Sequence, residues 1–86
     1  KNFPNPFNPV TNFQIDVPEL GSMQVYVYDI SGKLITTLMN SNIEPGFHNF
    51  KWNGKNDLGA QASSGVYILN VHLNGQHRSQ KMLLVK

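Results

Sequence analysis

From Thr11 to Val17 the chain alternates strictly. Phe13, Ile15 and Val17 fall on one side, Asn12, Gln14 and Asp16 on the other, and Pro18 stops the run. A period of two is the mark of a half-buried strand. After a Glu19-Leu20-Gly21 turn, Ser22 to Ile30 repeats the pattern, with Met23, Val25 and Val27 directed to a core. Its other face carries Tyr26, Tyr28 and Ile30, so it is not wholly polar. Ser31-Gly32 reads as a tight two-residue connection, glycine supplying the positive φ. Lys33 to Met39 returns with Leu34, Ile35, Leu38 and Met39, a spacing that breaks alternation and predicts a bulge or a crossing between sheets.

Asn40 to Gly46 reads as a polar loop closed by Pro45-Gly46. Phe47 to Trp52 then places His48, Phe50 and Trp52 on one face and Phe47, Asn49 and Lys51 on the other. The glycine-punctuated loop WNGKNDLGAQASSGVY leads into Val66–Leu73, with Tyr67, Leu69, Val71 and Leu73 inward. Asn74-Gly75 is the strongest short hairpin signal, because both central residues of a type I′ turn need positive φ. The final strand spans Gln76 to Lys86, and its continuous run Met82-Leu83-Leu84-Val85 predicts burial on both faces or packing against a partner. No 3.6-residue period persists. The expectation is an all-β fold, a small antiparallel Ig-like or fibronectin III-like β-sandwich of six to seven strands.

The opening segment KNFPNPFNPV cannot form a central strand, because prolines 4, 6 and 9 lack the N–H that a ladder needs. It reads as a linker or an edge strand, with Phe3 and Phe7 tucked against the domain, or else as a recognition segment for a partner. At 86 residues and 40% hydrophobic side chains, the chain is one domain with one modest core. A formal net charge of +2, with scattered Lys and Arg, argues against a nucleic-acid partner. No run approaches the roughly 18 apolar residues of a membrane span. With no initiating methionine, the sequence reads as a module cut from a longer protein.

Chemistry is sparse. Without cysteine there is neither a disulfide nor a thiolate metal site. His48, His72 and His77 have no further ligand at helical or turn spacing, so no metal is expected. Asn53, Asn56 and Asp57 carry spaced oxygens that suggest calcium, but Asx capping of turn N–H groups explains them more simply. Asp16, Glu19, Asp29, Glu44 and Asp57 are widely separated, which leaves no acid–base pair. A non-catalytic module without a cofactor is the expectation.

Several motifs, in order along the chain, resemble one family. NPFNPVTNFQI, containing Asn5, Pro6, Asn8 and Pro9, is similar to its "NPFNP-T-I" opening. VYDISGKLI, with Tyr28, Asp29, Gly32 and Lys33, resembles its "VYD-GR-V" hairpin. Gly46 to Gly54, with Trp52 and Gly54, resembles "G-H-W-G", and Ser64 to Tyr67, with Gly65 and Tyr67, resembles "SGVY". The closing KMLLVK resembles the family's basic-then-apolar last strand. The family is the type A C-terminal sorting domain of the type IX (Por) secretion system, which shares its pattern with the Ig-like domain of flagellar hook-capping proteins. Lys33 departs from the usual arginine and loses its planar fork of donors. Asn53 stands where aspartate is common.

The resemblance implies a single C-terminal sorting domain over residues 1–86, attached to a passenger that is an extracellular enzyme or adhesin. It implies recognition by outer-membrane secretion machinery and a sortase-like peptidase, with the product secreted or held on the surface of a Gram-negative bacterium. Lys81, Met82, Leu83, Leu84, Val85 and Lys86 are the implied recognition segment. The competing readings are a structural Ig-like spacer or hook-capping assembly module, and a carbohydrate-binding module using Tyr26, Tyr28 and Phe47.

Overall fold

In the computed structural model, residues 11–85 are described and form six antiparallel strands in two sheets. They are β1 (Thr11–Val17), β2 (Gly21–Asp29), β3 (Leu34–Ile43), β4 (Gly46–Trp52), β5 (Gly65–Leu73) and β6 (Gln76–Leu84). One sheet has the order β3-β2-β5-β6, and the other pairs β1 with β4. Between them lie Val17 and Trp52 from the small sheet and Met23, Val25, Val27, Ile43, Tyr67, Leu69, Met82 and Leu84 from the large one. The expected β-sandwich is the observed fold.

Trp52 is its central aromatic. Its indole meets the Tyr67 ring edge-on, with centroids 5.0 Å apart, a favoured quadrupole geometry. Both polar tips are satisfied locally: Trp52 Nε1 donates to the Lys55 carbonyl at 3.0 Å, and the Tyr67 hydroxyl donates to the Ser63 carbonyl at 2.6 Å. The tyrosine bond reaches four residues back along the chain, the geometry of the tyrosine corner of Ig-type sandwiches. In the small sheet, Phe13 stacks on its register partner Phe50 at 5.6 Å.

Three expectations need correction. First, β3 runs on through Asn40–Asn42 to Ile43, where a polar loop was expected. As the edge of its sheet, it needs only main-chain bonds to β2, and the buried Ile43 anchors its end. Second, the β2–β3 connection has four residues, Ile30 to Lys33, rather than two. Gly32 N–H donates to the Asp29 carbonyl at 3.0 Å, Asp29 N–H donates to the Lys33 carbonyl at 2.9 Å, and Gly32 sits at φ 91°. That is a type I turn followed by a left-handed residue. Third, the Met82–Val85 run is not buried on both faces, as described below.

The bulge expected in β3 is present twice: Ile35 and Leu38 are the residues without a register partner on β2. Each extra residue re-aims its neighbours, which lets Ile35, Leu38 and Met39 all pack against the core. The Asn74-Gly75 hairpin has the expected type I′ form, with φ of 51° and 83°. Asn74 also ties this turn to β2: its Oδ1 accepts the Ser22 N–H, and its own N–H donates to the Ser22 carbonyl. Gly21 lies directly under that side chain, and a Cβ there would collide with it.

The 53–62 loop contains a second copy of the β2–β3 turn. Gly59 N–H donates to the Asn56 carbonyl and Asn56 N–H to the Ala60 carbonyl, with Gly59 at φ 85°. In both copies the first residue's Oδ1 accepts the N–H groups two and four residues on: Ser31 and Lys33 for Asp29, Leu58 and Ala60 for Asn56. A Cβ would meet nothing at Gly32 or Gly59. Backbone conformation, not space, is what requires glycine there.

Candidate functional site

The closing strand β6 pairs only with β5 among the described residues, in an unbroken register from Leu73↔Gln76 to Gly65↔Leu84. It is therefore a sheet edge. Within the expected recognition segment, Met82 and Leu84 are 6% and 2% exposed and belong to the core, whereas Leu83 and Val85 are 67% and 65% exposed. The run alternates because nothing covers the outer face of the large sheet among the described residues. Lys81 is exposed beside Leu83, and Lys86 lies outside the described residues. The segment thus divides into a structural half and a surface half.

Register places further apolar groups beside Leu83 on that outer face. Val66 is opposite Leu83, Ile68 opposite Lys81, Tyr28 opposite Ile68, and Leu34 opposite Tyr28. This apolar corner, bounded by Lys81, is the surface that the exposed half of β6 extends. Toward its start β6 is different. Gln76, Arg78 and Gln80 share the inward parity of Met82 and Leu84, and they border a groove of about 680 Å³ between the sheets, floored by Phe13, Ile15, Leu69, Val71 and Leu73.

The opposite edge, β3, is closed by Asp57, one of the three side chains whose spacing suggests calcium or Asx capping. Asp57 Oδ1 accepts the buried Thr36 hydroxyl at 2.6 Å and the Thr37 N–H at 3.4 Å, while its N–H donates to the Ile35 carbonyl. The 53–62 loop thereby clasps β3 at its first bulge. Asn53 Oδ1 accepts the Lys55 N–H, so all three suspected oxygen donors act as Asx caps or clasps. Among the described residues, no three His, Cys, Asp or Glu side chains converge.

The motif residues collect in two places. Tyr28, Asp29, Gly32 and Lys33 build the β2–β3 turn. There the Ser31 hydroxyl, and then the Lys33 N–H, hold the Asp29 carboxyl below the usual aspartate range. Trp52, Gly54, Gly65 and Tyr67 frame the core and its loop, Gly54 accepting the Ala62 N–H through its carbonyl. Asn5, Pro6, Asn8 and Pro9, and the linker or edge-strand reading of residues 1–10, lie outside the described residues.

The carbohydrate platform finds no support in geometry. The Tyr26 and Tyr28 rings are inclined at 57°, and Phe47 stands on the other sheet. A flat sugar face cannot stack on rings so arranged. His48 contacts the Glu44 carbonyl through Nε2, but His72 and His77 do have each other. Their relation spans a hairpin, five residues apart, a spacing missed by helical or turn arithmetic.

Residues 8–76 match the profile of the FlgD Ig-like domain. The chain belongs to this family. Among solved structures, the chain is similar in fold to part of dimeric latent PorU from Porphyromonas gingivalis, with a TM-score of 0.70 and 22% identity over 96% of this chain and 9% of that one. FlgD from P. aeruginosa matches with a TM-score of 0.67 and 20% identity, over 88% of this chain and 60% of that one. These likenesses establish a shared fold. The chain spans only part of the length of either protein. A search of curated proteins returns no significant match.

Proposed function

We propose that this FlgD-type Ig-like domain is a non-catalytic sorting module of a larger exported bacterial protein, read through its closing strand by type IX (Por) outer-membrane machinery. The observation that carries the reading is the asymmetry of β6: Met82 and Leu84 lock the strand to the core while, among the described residues, nothing covers Leu83, Val85 or the strand's outer edge. An edge of this kind accepts an added strand, with main-chain bonds for affinity and alternate side chains for specificity. The motif resemblance and the fold shared with PorU support the same reading. Passenger release by a sortase-like peptidase and a secreted or cell-surface destination follow from it.

The family match equally supports a structural role, as an Ig-like spacer or hook-capping-type assembly module. The two are separated by export. A fluorescent passenger carrying residues 1–86, expressed in a host with type IX machinery, is expected to leave the cell. The same passenger ending at Gln80, and the full domain with Leu83→Ser and Val85→Ser together, are expected to be retained. The double variant is decisive because it leaves the core side chains in place. Export of the double variant, or retention of the unaltered fusion, would leave the structural role as the better account.

A further inference from the structure

The outer face of the β5–β6 hairpin carries a feature independent of sorting. His72 and His77 are direct register partners on adjacent antiparallel strands. Leu73 and Gln76 close the two-residue turn and share its hydrogen bonds, so the next pair outward is a non-hydrogen-bonded one, where side chains approach most closely. The two imidazoles lie with centroids 5.4 Å apart and planes inclined at 29°. Tyr26, across β5 on β2, meets His72 edge-on at 5.8 Å and flanks it on the side away from His77. His72 is half-buried and His77 exposed, so the pair is open to solvent.

We propose that His72 and His77 form a two-imidazole site for a borderline divalent cation of tetrahedral preference, of which Zn²⁺ is the representative. With a metal–nitrogen bond of about 2.0–2.1 Å and a ring nitrogen about 1.15 Å from its centroid, each centroid stands about 3.2 Å from the ion, and a tetrahedral angle separates the centroids by about 5.2 Å. The observed 5.4 Å lies close to that value. A right-angled pair of ligands, as in a tetragonal copper site, would need about 4.5 Å. Turning each ring about Cβ–Cγ leaves its centroid nearly in place, and that torsion is soft for histidine. The nitrogens can therefore converge on one point without moving the strands.

The hairpin itself fixes this spacing. The type I′ turn sets the register, and the Asn74–Ser22 bonds hold the turn against β2. Two coordination positions remain for water or for a donor on another molecule, so the site is an exchangeable one. Binding would staple β6 to β5 at the start of the edge strand and raise the stability of the folded state by mass action.

The test uses the full chain titrated with ZnCl₂ in a non-chelating buffer, read by amide NMR shifts and by thermal melting. Saturable one-to-one shifts centred on residues 70–79 and a metal-dependent rise in Tm are expected. Both responses should be lost in His72→Ala and in His77→Ala and retained in His48→Ala. Because both histidines lie on the outer face, the metal-free melting of each variant checks that the fold survives. The absence of saturable shifts overturns the proposal, and so does binding that persists without either histidine. Cu²⁺ binding with no response to Zn²⁺ overturns the tetrahedral assignment.

Discussion

Along β3, the backbone that faces outward is interrupted by bulges at Ile35 and Leu38 and held by Asp57; along β6, it runs in regular register from Gln76 to Leu84. Both strands are edges of the same sheet. Edges invite unwanted pairing, and bulges, inward-pointing charges and covering loops are the usual remedies. β3 uses two of these along its length. β6 uses one, Arg78 on its inward face, and only near its start. Beyond the exposed Lys81, none of these remedies appears among the described residues of the strand. The contrast teaches that openness at β6 is local, and that the same chain closes an edge where closure is required.

The comparison breaks most severely at Trp52. Trp52→Ala is expected to cost about 3–5 kcal/mol, a large share of a small domain's stability. It also frees the loop whose Lys55 carbonyl the indole holds, so β3 should lose its clasp; urea denaturation with hydrogen exchange at Thr37 checks both. On β6, Met82→Ala is expected to cost about 2–5 kcal/mol. Its neighbour Leu83→Ala should stay within about 0.5 kcal/mol. Equal costs for the two would overturn the division of this strand into anchored and exposed halves.

Asp57→Ala tests the clasp alone. It leaves the buried Thr36 hydroxyl without its acceptor, with an expected cost of about 1–3 kcal/mol. Light scattering should then reveal association through β3 that the unaltered chain does not show. The smallest effect concerns the paired turns. Asp29 is held below its ordinary range in the folded state. Its contribution is therefore complete above the unfolded value, about 3.9, and is lost as pH falls through the lower folded one. Asp29→Asn keeps the acceptor, as Asn56 does in the twin turn, and should flatten the acid limb of the denaturation midpoint while changing little at neutral pH.

Much of this was readable from period and punctuation. Alternation located β1, β2, β4 and β5 to within a residue or so, and Asn74-Gly75 announced its turn. The same rules failed where the cause was not local. Asn40–Asn42 look like a loop because edge pairing leaves no apolar trace. Met82–Val85 look doubly buried because alternation cannot be read from a run in which both faces are apolar. Asp57 and the His72–His77 pair depend on partners 21 and five residues away, and only the register brings them together. Within the expected recognition segment, the split between Met82 and Leu84 on one side and Leu83 and Val85 on the other became visible only once the sheet was assembled.

Trp52 is the chain's single tryptophan, and it sits where three things meet: the small sheet, Tyr67 of the large sheet and the loop that clasps β3. Its emission is consequently an internal gauge of assembly. Excitation of Tyr67 should pass to the indole across 5.0 Å only while the sheets are apposed. The wavelength of emission should shift to the red once water reaches the ring. A partner that merely adds a strand to β6 should leave both signals unchanged, whereas one that pries the sandwich apart should extinguish the first and move the second. Capture and unfolding can thus be told apart by light alone, with no label attached.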